Sequence, residues 1–187
     1  MRGSGQALLK RVREGDGAAA AELIEAHGKY LFGIAYALLH DRHSAEDVVQ
    51  ETFVAVLRAQ YRGEAAVRTW LVGILIRQAR MHQRKQRRWL KLWPGGEPDA
   101  ARDAATGPVE PAVDARLDLA EMLKDLSAEH REIILLREIE GMSYDEIGQA
   151  LSIPRGTVES RLHRAREQLR AVLNKENLSK EKLSSER

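Results

Sequence analysis

The chain has 187 residues, 43% of them hydrophobic and 31% charged, with a formal net charge of +2 and no cysteine. That composition fits a folded protein of one domain or two small ones rather than a disordered polymer. It excludes disulfides, thiolate nucleophiles and cysteine-ligated zinc, and it makes the placement of charge more informative than its sum.

Gln6 to Glu14 reads as a short amphipathic helix ended by Gly15. A second helix is predicted from about Ala18 to Leu39, where Leu23, Ile24, His27, Tyr30, Leu31, Ile34 and Leu38 recur at helical spacing. His27 has no second ligand at metal-site spacing and reads as a hydrogen-bonded core histidine. Ser44 is placed to cap a third helix, with Asp47 completing an approximate capping box. Ala45, Val48, Val49, Phe53, Val56 and Leu57 then point inward, and Glu46, Asp47, Gln50 and Glu51 form an outward acidic patch. Acid near a helix start suits the macrodipole, so the patch is either a solvated face or a docking surface. Acid–base catalysis is rejected, because nothing on that polar face desolvates the carboxylates.

Tyr61-Arg62-Gly63-Glu64 breaks the periodicity and is predicted as a loop. A helix starting near Ala65 carries Val67, Leu71, Ile74 and Leu75 inward, with Trp70 assigned to the core rather than to a base-stacking platform. Beyond Ile76 come Arg77, Arg80, Arg84, Lys85, Arg87, Arg88 and Lys91 with no intervening acid; Arg77, Arg80, Arg84 and Arg88 share one stripe. Like charges so arranged repel unless a polyanion neutralises them, which favours phosphate binding over a merely solvated face.

Four of the 5 prolines fall between Lys91 and Ala112, which cannot hold a long helix and reads as a mildly acidic tether. The expected fold is all-α: two small helical domains joined by a flexible linker, spanning 1–90, 91–112 and 113–176, with a polar tail at 177–187. In the second domain Val113, Leu117, Ala120 and Leu123 share a face, and Ser127 caps a helix that buries Ile133, Ile134, Leu136 and Ile139 before Gly141. Ser143 and Glu146 form a capping box for a short helix with Ile147 and Leu151 inward; Ser152-Ile153 turns the chain, and Pro154 opens the next helix. There Val158, Leu162, Ala165 and Leu169 make the apolar stripe, leaving Arg155, Thr157, Glu159, Ser160, His163, Arg164 and Arg166 largely off it. A short helix, a tight turn and a basic second helix make a helix-turn-helix. No run of eighteen apolar residues and no signal-peptide h-region is present, so a cytoplasmic protein without membrane insertion is expected.

Four stretches, AEDVVQETF (45–53), YRGEAAVRTWL (61–71), LSAEHREIILLREIEGMSYDEIGQAL (126–151) and IPRGTVESRLHRAREQL (153–169), together resemble the extracytoplasmic-function (ECF) group of sigma-70 family RNA polymerase sigma factors. The resemblance implies a protein with no covalent chemistry, cofactor or metal of its own. It implies that Asp47, Gln50 and Glu51 dock on the clamp helices of the largest subunit of core RNA polymerase. The loop from Tyr61 through Arg62, Gly63 and Glu64 to Ala66 is implied to capture a flipped base of the minus-ten element, with Arg77, Arg80 and Arg84 on the phosphates of that strand. The linker is implied to thread towards the polymerase active-site channel. Arg155, Thr157, Glu159, Ser160, His163 and Arg164 would read the minus-thirty-five element, and the implied partners are core RNA polymerase, promoter DNA and an anti-sigma factor. The pattern departs at Gln78 and His82, where many members have Asn and Asp, at Gly148 in place of the usual Ala, and at Glu159 where relatives often carry a base. These departures leave the promoter sequence open, as they leave open whether Arg164 reads guanine or holds phosphate. The rival readings are a free-standing helix-turn-helix regulator, which leaves the basic helix and acidic patch unexplained, and a recombinase, for which no catalytic constellation is found.

Overall fold

In the computed structural model the described backbone covers residues 2–63, 65–92 and 121–185, with side chains described for 5–63, 65–89, 91–92 and 121–174. Glu64, most of the predicted linker and the Val113, Leu117 and Ala120 part of the apolar face lie outside the described residues, as do the side chains of the tail.

The first unit is four helices. Helix α1 (Arg2–Arg13) buries Leu9 and Val12. It ends at Gly15, whose φ of +87° only glycine adopts without strain. Asp16 caps α2 (Gly17–Leu39), accepting from the amides of Ala18 and Ala19 at 2.9 and 3.1 Å. Those bonds, the Ala19 amide foremost and then Arg11, hold the Asp16 carboxyl below its ordinary range. Helix α3 (Arg42–Arg58) starts earlier than expected: its cap is Asp41, which accepts from the Ser44 amide at 2.7 Å. Ser44 is instead buried one turn inside, with its Oγ 3.0 Å from His82 Nε2 on α4 (Val67–Leu92). The core of this unit is Leu23, Leu31, Val48, Leu71, Leu75 and Ile76, from α2, α3 and α4. Ile24 and Leu57, expected inward, are about half exposed at 49% and 50%; Val56 takes the last inward position of α3. His27 is half-buried, and burial, then Arg68, depresses its pKa.

The second unit begins in the described chain with a helical turn at 121–123. Ser127 caps α5 (Ala128–Ile134) by accepting from the His130 amide at 3.3 Å. The helix then widens into a π-wound turn, Leu135–Ile139. That winding rotates the register, so Leu135 is buried and Ile139, expected to be buried, is 43% exposed. Ser143 opens α6 (Tyr144–Leu151) with a full capping box: its amide donates to Glu146 Oε2 at 2.8 Å, and the Glu146 amide donates back to its Oγ at 3.3 Å. Ser152 turns the chain at a left-handed φ of 55°, and α7 (Arg155–Ser185) follows, burying Val158, Leu162 and Ala165.

The two units are in contact. Helix α4 packs along α6, and α2 touches α5. Gly73 makes the approach possible: a Cβ built there would meet the Ala150 Cβ at 3.7 Å, an ordinary van der Waals distance with little room beyond it.

Candidate nucleic-acid interface

The break between α3 and α4 lines one side of a pocket whose other side is Glu146, Gln149 and Ala150 of α6. Ala59 leaves α3 with extended backbone, its amide still bonded to the Ala55 carbonyl at 2.9 Å. The chain then turns at Gly63, whose φ is +77°. Tyr61 braces this turn: its hydroxyl donates to the Ala65 carbonyl, and its ring packs tilted on Trp70 with centroids 5.2 Å apart. Ala59, Gln60, Tyr61, Arg62 and Trp70 wall a cavity of about 450 Å³ with Arg77 also on its lining. Trp70 packs against the core, as expected, and also lines the pocket. An aromatic pair beside exposed arginines offers a stacking surface and phosphate contacts together.

The arginines of α4 do not all face the same surroundings. Arg77 and Arg84 are exposed, and Arg84 donates to the Arg80 carbonyl at 3.2 Å. Arg80 turns to the second unit. Its Nε and Nη2 reach Glu132 at 2.9 and 2.6 Å, and its Nη1 donates to the Leu151 carbonyl at 3.1 Å. The Glu132 carboxylate raises the Arg80 pKa against the opposing effect of burial.

On α3, Asp47 is half-buried and 3.8 Å from His43, while Gln50 and Glu51 are exposed. Val54 and Leu57 stand exposed beyond them, at 52% and 50%. The acidic face thus borders an exposed apolar pair.

On α7 the predicted readers sit opposite the buried stripe. Arg155, Glu159, Ser160, His163 and Arg164 are exposed and Thr157 half-exposed. Arg155 donates to Glu159 at 3.1 Å and to Asp145 at 3.3 Å, so the start of the helix carries a fixed charge pair. Ser160 donates to the Thr157 carbonyl at 3.2 Å, and His163 lies 3.4 Å from Glu167. Arg166 is bound within its own unit by Glu138 at 2.7 Å. Among the described residues no group of three or more His, Asp or Glu side chains is placed to hold a metal ion, and no helix is long and apolar enough to cross a membrane.

Four side chains that sequence reasoning passed over join the units. Besides Glu132, Arg131 donates to the Leu38 carbonyl at the end of α2 at 2.7 Å, its own pKa lowered by burial and only partly restored by Glu132. Arg68, stacked 3.7 Å over the Tyr30 ring, lies 3.6 Å from Glu140. The Glu140 side chain is 4% exposed, and burial pushes its pKa up to about 7. Arg68 offsets little of this, since 3.6 Å is too long for a hydrogen bond and its own side chain is 56% exposed. The one visible signal was Glu132 itself, a charge directly before the apolar run from Ile133 to Leu136.

Residues 23–88 match the family described as sigma-70 region 2, and residues 116–169 match sigma-70, region 4. The chain is 38% identical over 160 residues to the ECF RNA polymerase sigma factor SigE of Mycolicibacterium smegmatis, covering 82% of this chain and 61% of that protein. It is 32% identical to the RNA polymerase sigma factor CarQ of Myxococcus xanthus over 88% of this chain and 95% of that one. Its fold is similar to the sigma factor RpoE of Bartonella quintana, solved with the anti-sigma factor NepR: TM-score 0.64, 27% identity, 82% of this chain and 96% of that one.

Proposed function

The chain belongs to the sigma-70 family of RNA polymerase sigma factors, in its ECF group, and from that premise we propose how its surfaces divide the work of promoter recognition. It is an alternative sigma factor that binds core RNA polymerase and promoter DNA and starts transcription at promoters carrying its minus-thirty-five and minus-ten elements. Residues 1–90 act as region 2, 91–112 as the linker, and 113–176 as region 4. The polymerase contact is α3, through Asp47, Gln50 and Glu51, with Val54 and Leu57 supplying the apolar part of the contact. A flipped minus-ten base enters the pocket walled by Tyr61, Arg62 and Trp70. Trapping it there offsets the few kcal/mol of unstacking, on the order of the cost of base flipping. Arg77, Arg84 and, once released, Arg80 hold the strand's phosphates. The exposed face of α7 reads the minus-thirty-five element through Arg155, Thr157, Glu159, Ser160, His163 and Arg164; a glutamate such as Glu159 can accept from a cytosine amino group. The catalysis belongs to the polymerase, this chain being no enzyme, and the compartment is the cytoplasm. An anti-sigma factor is the expected regulator.

The observation that carries this reading is the Tyr61–Trp70 pocket with Arg77 on its lining, a recess of about 450 Å³ beside cations, on a chain that also presents a helix-turn-helix. The test is initiation by core polymerase on templates selected from a random-sequence pool. Start-specific transcripts that depend on this chain support the reading. Operator binding that needs no polymerase supports a free-standing regulator instead, and strand cleavage would support a recombinase.

A further inference from the structure

The first turn of α7 runs against the electrostatics of helix formation. Arg155 places a cation at the positive end of the helix dipole. Its pair with Glu159 has the arginine before the acid, the weaker order at that spacing. Helix stability therefore gives no reason for an arginine at this position, but its contacts do. Arg155 Nε donates to Glu159 Oε1 at 3.1 Å, while Nη1 donates to both carboxylate oxygens of Asp145, on α6, at 3.3 Å. The guanidinium also lies 5.8 Å from the centre of the Tyr144 ring, within cation–π reach. Asp145 and Tyr144 thus anchor the arginine from the neighbouring helix of the motif. Arg164, on the same exposed face, makes no hydrogen bond or ion pair among the described residues.

The clamp leaves Glu159 half engaged. Arg155 takes one carboxylate oxygen, and the other, Oε2, accepts no hydrogen bond among the described residues. A lone carboxylate on a helix that faces DNA is repelled by the phosphates. The guanidinium offsets that repulsion and restricts the rotamers of Glu159. In the major groove cytosine presents an amino donor, adenine a donor beside an acceptor, and guanine and thymine acceptors alone. A fixed carboxylate oxygen therefore accepts from cytosine and is repelled by guanine and thymine.

We propose that Arg155 is a positioning residue rather than a reader: anchored by Asp145, it aims the unengaged oxygen of Glu159 at a cytosine amino group at one position of the minus-thirty-five element. The inference rests on the assignment of α7 to that element, and it separates the two exposed arginines of the reading face. Arg164 is available to DNA, whereas Arg155 acts through Glu159.

The test measures how tightly the full chain, bound to core polymerase, holds promoter variants carrying each base at each minus-thirty-five position. The wild-type chain prefers cytosine to guanine or thymine by about tenfold or more at one position, and Glu159→Ala abolishes that preference. Arg155→Ala cuts the preference about fivefold at the same position and leaves the other positions as they were. Combined with Glu159→Ala, it removes no further preference there. Asp145→Asn also lowers the preference at that position, while binding to unrelated duplexes tightens because a negative charge near the phosphates is gone. A uniform loss over all sequences in Arg155→Ala puts that side chain on phosphate and overturns the proposal. So does an unchanged preference in Asp145→Asn, which leaves Asp145 as no more than an acid in the first turn of α6. Selection of an element with no cytosine preference lost in Glu159→Ala overturns it as well. If the wild-type chain selects no minus-thirty-five element at all, the assignment of α7 falls and the clamp with it, a result told apart by the absence of any selected sequence.

Discussion

Replacing Glu140 by glutamine tests the energetics of the contact between the units through its pH dependence. The Glu140 side chain is 4% exposed, its Oε1 has no hydrogen-bond partner among the described residues, and its pKa is raised from 4.5 to about 7 by burial. A carboxyl whose pKa is raised on folding favours the folded, closed form while it is protonated. That contribution is complete below pH 4.5 and is lost as pH rises through 7. The shift corresponds to about 3 kcal/mol at most, of which roughly 2–3 kcal/mol should disappear between pH 5 and pH 8. His27 works in the opposite sense, since burial and Arg68 lower its pKa and cost stability as pH falls through 6.5. The comparison is therefore between wild type and Glu140→Gln at each pH, which cancels His27. Urea unfolding from pH 5 to 8 measures it: wild type should fall relative to the variant by about 2–3 kcal/mol over that range. Parallel curves for the two proteins would refute the burial argument.

Other outcomes are equally specific. Ser143→Ala removes the Oγ half of the capping box, leaving the backbone amide of residue 143 on Glu146, and should cost about 1 kcal/mol in urea unfolding. Asp47→Lys with Glu51→Lys should abolish co-elution with core polymerase while the circular dichroism stays helical; normal affinity would remove the docking assignment. Arg164→Ala should cost about 1–3 kcal/mol at the minus-thirty-five element if the side chain reads a base, and a uniform loss over unrelated duplexes places it on phosphate.

What the sequence disclosed was local. The Ser143–Glu146 box, the Ser127 cap and the turn at Gly63 are decided within four residues, and each appears where the pattern puts it. What it concealed is decided at a distance. Asp41 and Ser44 are both capping residue types three positions apart, and the choice between them follows from the burial of Ser44 against His82, 38 residues on. The π-wound turn shifts Ile139 outward by changing the helical period itself, which a fixed-period reading cannot follow. Arg80 could be placed on the basic stripe, but its partner lies 52 residues away. Periodicity says which face of a helix is covered and not what covers it. The candidate residues could be named as types at helical spacings; that α6 shares a pocket with Tyr61 and Trp70 is a tertiary fact.

The most direct test of promoter recognition by both halves of one chain is run-off transcription by core polymerase from matched templates in which the minus-thirty-five or the minus-ten element is scrambled in turn. Chain-dependent transcripts are expected from the intact promoter and should be lost from either scrambled template. Transcription that starts at the same nucleotide when one element has been destroyed would contradict it.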